Sequence, residues 1–198
     1  MANTSSRRIW LILLVVVAIL AVYFVSVNNK LVKEEENVKL TWANLQTTYQ
    51  RRMDLVPSLV AIVKGSTDYE KQTLQQITEA RSKAAQVSLT VGSATAENFA
   101  KQERAQTEVV NSTNRAIAVI ENYPEIKSTK SFGELQSQLE GTERRIKVAR
   151  NDFNGAVAQY NKLVRSFPSS IAASLFGYKT KEGFQSEAGA ESAPEIKF

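Results

Sequence analysis

The stretch SFGELQSQLEGTERRIKVARNDFNGAVAQYNKLVRSFP, residues 131–168, decides the fold. Phe132, Leu135, Leu139, Thr142, Ile146, Ala149, Phe153, Ala156, Tyr160, Leu163 and Phe167 follow one another at alternating steps of three and four. An α-helix turns once every ~3.6 residues, so this stepping keeps all of them on one seam. A seam of about five heptads needs facing helices to cover it, as in a coiled coil or helical bundle. Ser131 and Glu134 have the S-x-x-E spacing of a capping box and predict the helix entry. Phe167-Pro168 predicts the exit, because the residue before a proline avoids the α region.

A second seam precedes it. Val38, Trp42, Leu45, Tyr49, Arg52, Val56, Leu59 and Val63 are spaced four and three in turn, with Arg52 the charged exception. Pro57 removes one backbone donor and predicts a kink near Met53. Gly65 reads as the stop of this helix. Thr67-x-x-Glu70 has the form of another capping box and opens a second helix over about residues 68–87. That helix carries Leu74, Ile77, Ala80, Ala84 and Val87 on one face. VSLTVGSAT around Gly92 reads as a loop. A polar third helix is expected over about residues 96–122, with Phe99, Val109, Val110, Ile117 and Ile120 as its core candidates, ending at Tyr123-Pro124. After Pro168 comes an apolar patch (Ile171, Leu175, Phe176) and then a Gly/Ala/Ser/Glu-rich tail expected to be mostly disordered.

Ile9 to Val27 reads IWLILLVVVAILAVYFVSV, in which Ser26 is the only polar residue. At about 1.5 Å per residue the run is roughly 28 Å of helix, enough for a bilayer's hydrocarbon. A buried core helix would keep a polar stripe. A cleaved signal peptide would have a shorter apolar run and a small-residue cleavage site, and Val25-Ser26-Val27 is a poor one. An uncleaved signal-anchor is therefore expected. Nothing between Val27 and Lys39 breaks a helix, so the span should continue out of the bilayer as a stalk. Lys and Arg number two on the entry side and three on the exit side, which leaves the positive-inside rule nearly silent. The short basic start with Arg7 and Arg8 favours the N-terminus inside and the bulk outside.

The expected organisation is a tail over 1–8, a transmembrane helix over 9–27, a helical bundle over 28–178 and a C-terminal tail over 179–198. The fold class is all-α, a transmembrane helix continuing into a long antiparallel up-and-down four-helix bundle.

The chain has neither histidine nor cysteine. The commonest general base and the thiol nucleophile are missing, and HExxH or CxxC zinc sites cannot be built. The serines lack a G-x-S-x-G elbow, and the glycines form no phosphate loop. No enzyme, cofactor or metal is expected. The net charge is +5, of which +2 belongs to Arg7 and Arg8. The remaining Lys and Arg are interleaved with Glu and Asp, with no basic stripe among aromatics, so no nucleic-acid partner is expected. Glu34-Glu35-Glu36 reads as a solvated acidic collar. Arg51-Arg52-Met53-Asp54 and Glu143-Arg144-Arg145 are the densest charge groups. They form either an anion or lipid-headgroup site or ion pairs between neighbouring helices. Arg52, Asp54, Glu143 and Arg144 are the candidates for a structural seam or an interaction site. Arg52 needs a partner because it occupies the seam, and Glu143 is the candidate.

TWANLQTTYQRRMDLVPSLVAIVKG, YEKQTLQQITEARSKA, YPEIKSTKSFGELQSQLEGTERRIKVARNDFN and YNKLVRSFPSSIAASLFGY resemble, in this order, the signature of the LemA family, and EAGAESAPEIKF resembles its ending. The resemblance covers about residues 28–178. It implies a bacterial inner-membrane protein with one span and a long antiparallel helical bundle, and it implies no activity. One member of the family takes part in forming magnetosome membranes, which suggests a membrane-organising role by analogy of fold. Tyr69 stands where many members have His, and Val27-Asn28 replaces an expected Tyr-Asn pair. The functional expectation is a membrane-anchored, non-catalytic scaffold or adaptor with protein partners, a second copy of the chain (a homo-oligomer) among the candidates. The alternative is a membrane-remodelling or lipid-binding protein.

Overall fold

The computed structural model describes residues 3–64, 71–87 and 95–184. Gly65, the Thr67–Glu70 box, the loop around Gly92 and the last fourteen residues, 185–198, lie outside them. Among the described residues every regular element is a helix: α1 (Asn3–Lys64), α2 (Lys71–Gln86), α3 (Ala96–Ile120), α4 (Pro124–Lys127), α5 (Lys130–Arg165) and α6 (Ser169–Leu175). The chain divides into two compact units, Met1–Leu40 with Gly155–Lys181, and Thr41–Asn154 with Glu182–Phe198.

In the larger unit, one apolar core joins Met53, Val56, Leu59 and Val63 of α1 to residues of α2, α3, α4 and α5, among them Ile77, Val109, Ile126 and Leu135. Every position of the α1 seam from Val38 to Val63 is buried, Arg52 included. Pro57 lies inside α1 without ending it. Its ring leaves the Met53 carbonyl without the usual i+4 donor. Arg81 of α2 supplies the missing bond, its Nε donating to that carbonyl at 3.0 Å.

The α5 seam is buried at Phe132, Leu135, Leu139, Thr142, Ile146, Phe153, Ala156 and Tyr160. Phe167 departs from it: α5 ends at Arg165, and Phe167 is 82% exposed. The entry also differs from the expected capping box. The helix starts at Lys130, and Thr129 Oγ1 accepts from Phe132 N at 3.3 Å, so Ser131 is already inside the helix. The one-turn helix α4, with Pro124 at its start, brings the chain to that hydroxyl two residues early. Thr95 caps α3 in the same way, accepting from Asn98 N at 3.3 Å.

The α3 face is the largest departure. Phe99, Val109 and Ile120 are buried, but Val110 and Ile117 are only half-buried. The seam is completed by Gln102, Gln106, Thr113 and Ala116, stepping three and four from Phe99 to Ile120. Gln102 Oε1 and Thr113 Oγ1 are buried there without a hydrogen-bond partner.

An irregular segment follows α6. In the larger unit Phe184 enters an aromatic cluster with Trp42, Phe99 and Phe153, its ring centroid 4.7 Å from Phe99 and 5.8 Å from Phe153. Its backbone exchanges two bonds with Asn154: Nδ2 donates to the Phe184 carbonyl at 3.1 Å, and Phe184 N donates to Oδ1 at 2.9 Å. In the smaller unit Asn161 holds both backbone groups of Lys181 in the same way, at 2.7 and 2.8 Å. There Tyr160 also donates its hydroxyl to the Lys179 carbonyl at 2.9 Å.

Candidate functional site

The larger unit carries a charged layer that runs from its mostly apolar interior to the surface. The three–four stepping of α1 turns Arg52 inward between Leu45 and Val56, leaving it 4% exposed. A charge at that depth requires partners. Its Nε donates to Glu143 Oε1 of α5 at 2.7 Å, Nη2 donates to Oε2 of the same carboxylate, and Nη1 donates to Gln106 Oε1 of α3 at 2.9 Å. The paired bonds to Glu143 use the fork geometry that suits arginine to carboxylate.

One helical turn away, Arg150 of α5 donates from Nε to the Tyr49 hydroxyl and from Nη1 to Glu103 Oε1 of α3, both at 2.8 Å. The Tyr49 ring lies within reach of both guanidinium groups, 5.9 Å from Arg52 and 5.8 Å from Arg150. Burial pushes the Tyr49 phenol above its ordinary value, and the positive charge of Arg150 opposes it only in part. Tyr49 is thus a neutral phenol and a poor base at physiological pH. Burial works against the Arg150 charge, but Tyr49 and Glu103 overcome it and hold its pKa above the usual arginine value.

Two clefts open on this layer between α3 and α5. One of about 290 Å³ is lined by Arg52, Glu103, Gln106, Lys147 and Arg150, among others. The other, about 270 Å³, is lined by Arg52, Thr113, Ile117, Leu139 and Glu143, among others. The layer joins three helices in one register, and its two arginines are each matched by a carboxylate.

Of the four sequence candidates, the structure brings Arg52 and Glu143 together and leaves the other two outside. Asp54 is exposed and accepts from Gln50 Nε2 at 2.8 Å along its own helix. Arg144 is exposed and lies 3.9 Å from Glu140. Sequence reasoning missed Gln106, Glu103 and Arg150. Gln106 stands on the three–four stepping of α3 and Arg150 directly follows the seam residue Ala149, but all three side chains are polar and apolar periodicity passes over them.

The sequence model of the LemA family matches residues 41–198. A magnetosome protein, MamQ 2 of Paramagnetospirillum magneticum, is 35% identical over 75 residues, covering 38% of this chain and 28% of that protein. The magnetosome protein MamQ of Magnetospirillum gryphiswaldense is 31% identical over 74 residues, covering 37% of this chain and 27% of that protein. Protein LemA of Metamycoplasma hominis is 20% identical over 172 residues, 86% of this chain and 75% of that protein. The matches thus span under a third of the length of the magnetosome proteins. With the family's pattern running through α2 to α6 and the second half of α1, this chain belongs to the LemA family.

Proposed function

We propose that this protein is a single-pass, non-catalytic scaffold or adaptor of the bacterial inner membrane, with its N-terminus inside and its helical bundle outside, acting through contacts with other proteins. The observation that carries the reading is the outward display of the apolar run on α1. Ile9, Trp10, Leu11, Ile12, Leu14, Ile19, Val22 and Val25 are each 60% exposed or more. Water does not favour such a surface over some 25 Å of helix, and a bilayer does. The non-catalytic part of the reading is supported by the charged layer, whose arginines are satisfied by side chains of the same unit. Val148, 58% exposed on α5, is a position on the bundle surface at which partner contact can be probed.

Similarity to magnetosome proteins favours a second reading, in which the protein organises or remodels the membrane itself. Alkaline phosphatase fused after Phe198 should be active, and activity of a cytoplasmic reporter there instead reverses the orientation. A photo-crosslinker at Val148, used in native membranes, should yield a discrete protein adduct. Adducts to lipid alone would support the remodelling reading against the adaptor.

A further inference from the structure

Helix α6 has two unlike faces. Ala172 and Ala173 are buried against Val27 and Leu31 of α1, with Tyr23 and Phe24 packed on the same cluster. On the other side Phe167 is 82% exposed, Ile171 54%, Leu175 71% and Phe176 47%. Ile171 and Leu175 lie four residues apart on α6 and so share one face, and the exposed Phe167 lies in the turn just before it. Polar bonds tie α6 to the end of α5 and the residues after α6 to α1. Ser169 Oγ donates to the carbonyls of Leu163 and Ser166 at 2.7 and 2.8 Å. The Tyr178 hydroxyl donates to Asn28 Oδ1 at 3.2 Å. Asn28 is the residue that follows the apolar run of α1. Helix α6 is therefore fixed at the level where that run meets polar sequence, its buried face beside Tyr23 and Phe24 of the run itself.

The geometry points to α6 as a second membrane contact: a short amphipathic helix seated in the lipid surface beside the exit of α1, with Phe167, Ile171 and Leu175 entering the headgroup–acyl boundary. The inference rests on the reading of α1 as the membrane anchor. Its partner is lipid rather than protein because α6 packs against the end of α1's own exposed apolar run. Arg165 and Lys179, both exposed, flank α6 in the sequence, and the exposed Lys30 lies two residues after Asn28. Their long stems lie along apolar surface while their charges reach headgroup phosphates. A seven-residue helix would not hold a membrane by itself. Tethered to a span, it needs only to set the tilt and rotation that a lone helix leaves open.

The chain has no cysteine, so single-cysteine variants carry a spin label at one site only. The full chain is reconstituted in phosphatidylcholine–phosphatidylglycerol vesicles with labels at Ile171→Cys, Leu175→Cys, Val16→Cys and Thr47→Cys. Collision with oxygen is then compared with collision with a water-soluble nickel chelate. Val16 should lie deepest. Ile171 and Leu175 should favour oxygen several-fold more than Thr47, at a depth of about 5–10 Å below the headgroups. If Val16 is deep while Ile171 and Leu175 match Thr47, the α6 contact is overturned and the anchor stands. If Val16 itself is in water, the anchor reading fails and takes this inference with it.

Discussion

Arg81 Nε donates to the Met53 carbonyl at 3.0 Å, and that carbonyl is the one Pro57 leaves without a helical donor. A helix can hold a proline without fraying where a neighbour fills the vacancy. Arg81→Leu should therefore destabilise the protein by about 1–3 kcal/mol, the cost of an unmet buried carbonyl. Adding Pro57→Ala restores the N–H and should recover much of that loss. Melting curves of the two single variants and the double variant read the coupling. Strict additivity would show that Arg81 acts elsewhere.

Arg52→Met breaks the charged layer and leaves the partly exposed Glu143 carboxylate and the buried Gln106 without their guanidinium. The loss should be about 3 kcal/mol, at the low end for a buried pair because Glu143 is partly open to water. Glu143→Gln in the same chain should restore part of it. Arg51→Met, on the exposed side of the same helix, should leave the melting temperature almost unchanged. Equal shifts for the two arginine variants would contradict the burial of Arg52.

The aromatic cluster gives a graded test. Phe153 is 1% exposed and touches Trp42, Phe99 and Phe184, so Phe153→Ala should cost about 3–5 kcal/mol. Phe167→Ala should cost little in detergent solution, although both residues stand on the same arithmetical seam. Comparable losses would mean that α5 stays helical past Arg165.

Tyr160 makes the fold sensitive to alkali. Burial pushes its phenol up to about 12, and the charges of Glu35 and Tyr178 add to the effect. The folded chain then binds this proton more tightly than the unfolded chain, whose tyrosines titrate near pH ~10. The resulting stability is whole below about pH 10 and is lost as the pH climbs through about 12. Thermal melts across that range should fall, and Tyr160→Phe should flatten the fall. That variant should start lower at neutral pH by about 1 kcal/mol, having lost the bond to Lys179. An unchanged alkaline slope would place the titration at another group.

The two long seams could be read from spacing alone because burial there follows apolar residues at helical steps. Arg52 was legible for the opposite reason, as a charge at a position geometry buries. The α3 seam was not legible. Gln102, Gln106 and Thr113 hold heptad positions with polar side chains, and a search for apolar periodicity passes over them. The α5 entry moved to Thr129 because either hydroxyl, Ser131 or Thr129, satisfies local capping, and the choice depends on where α4 delivers the chain. Phe184 carried no signal, since it follows no period and its place is set by the side chain of Asn154.

The asparagine contacts have a consequence for how this protein behaves at high concentration. A non-helical segment normally presents free N–H and C=O groups, and such a row invites pairing with the same row on another molecule. Here the groups of Phe184 and Lys181 are each answered by a single amide side chain, much as an antiparallel neighbour would answer them. Two residues of a stretch without helical bonds are thus kept from strand pairing by side chains of α5. Asn154→Leu and Asn161→Leu would reopen that edge while leaving the helices intact.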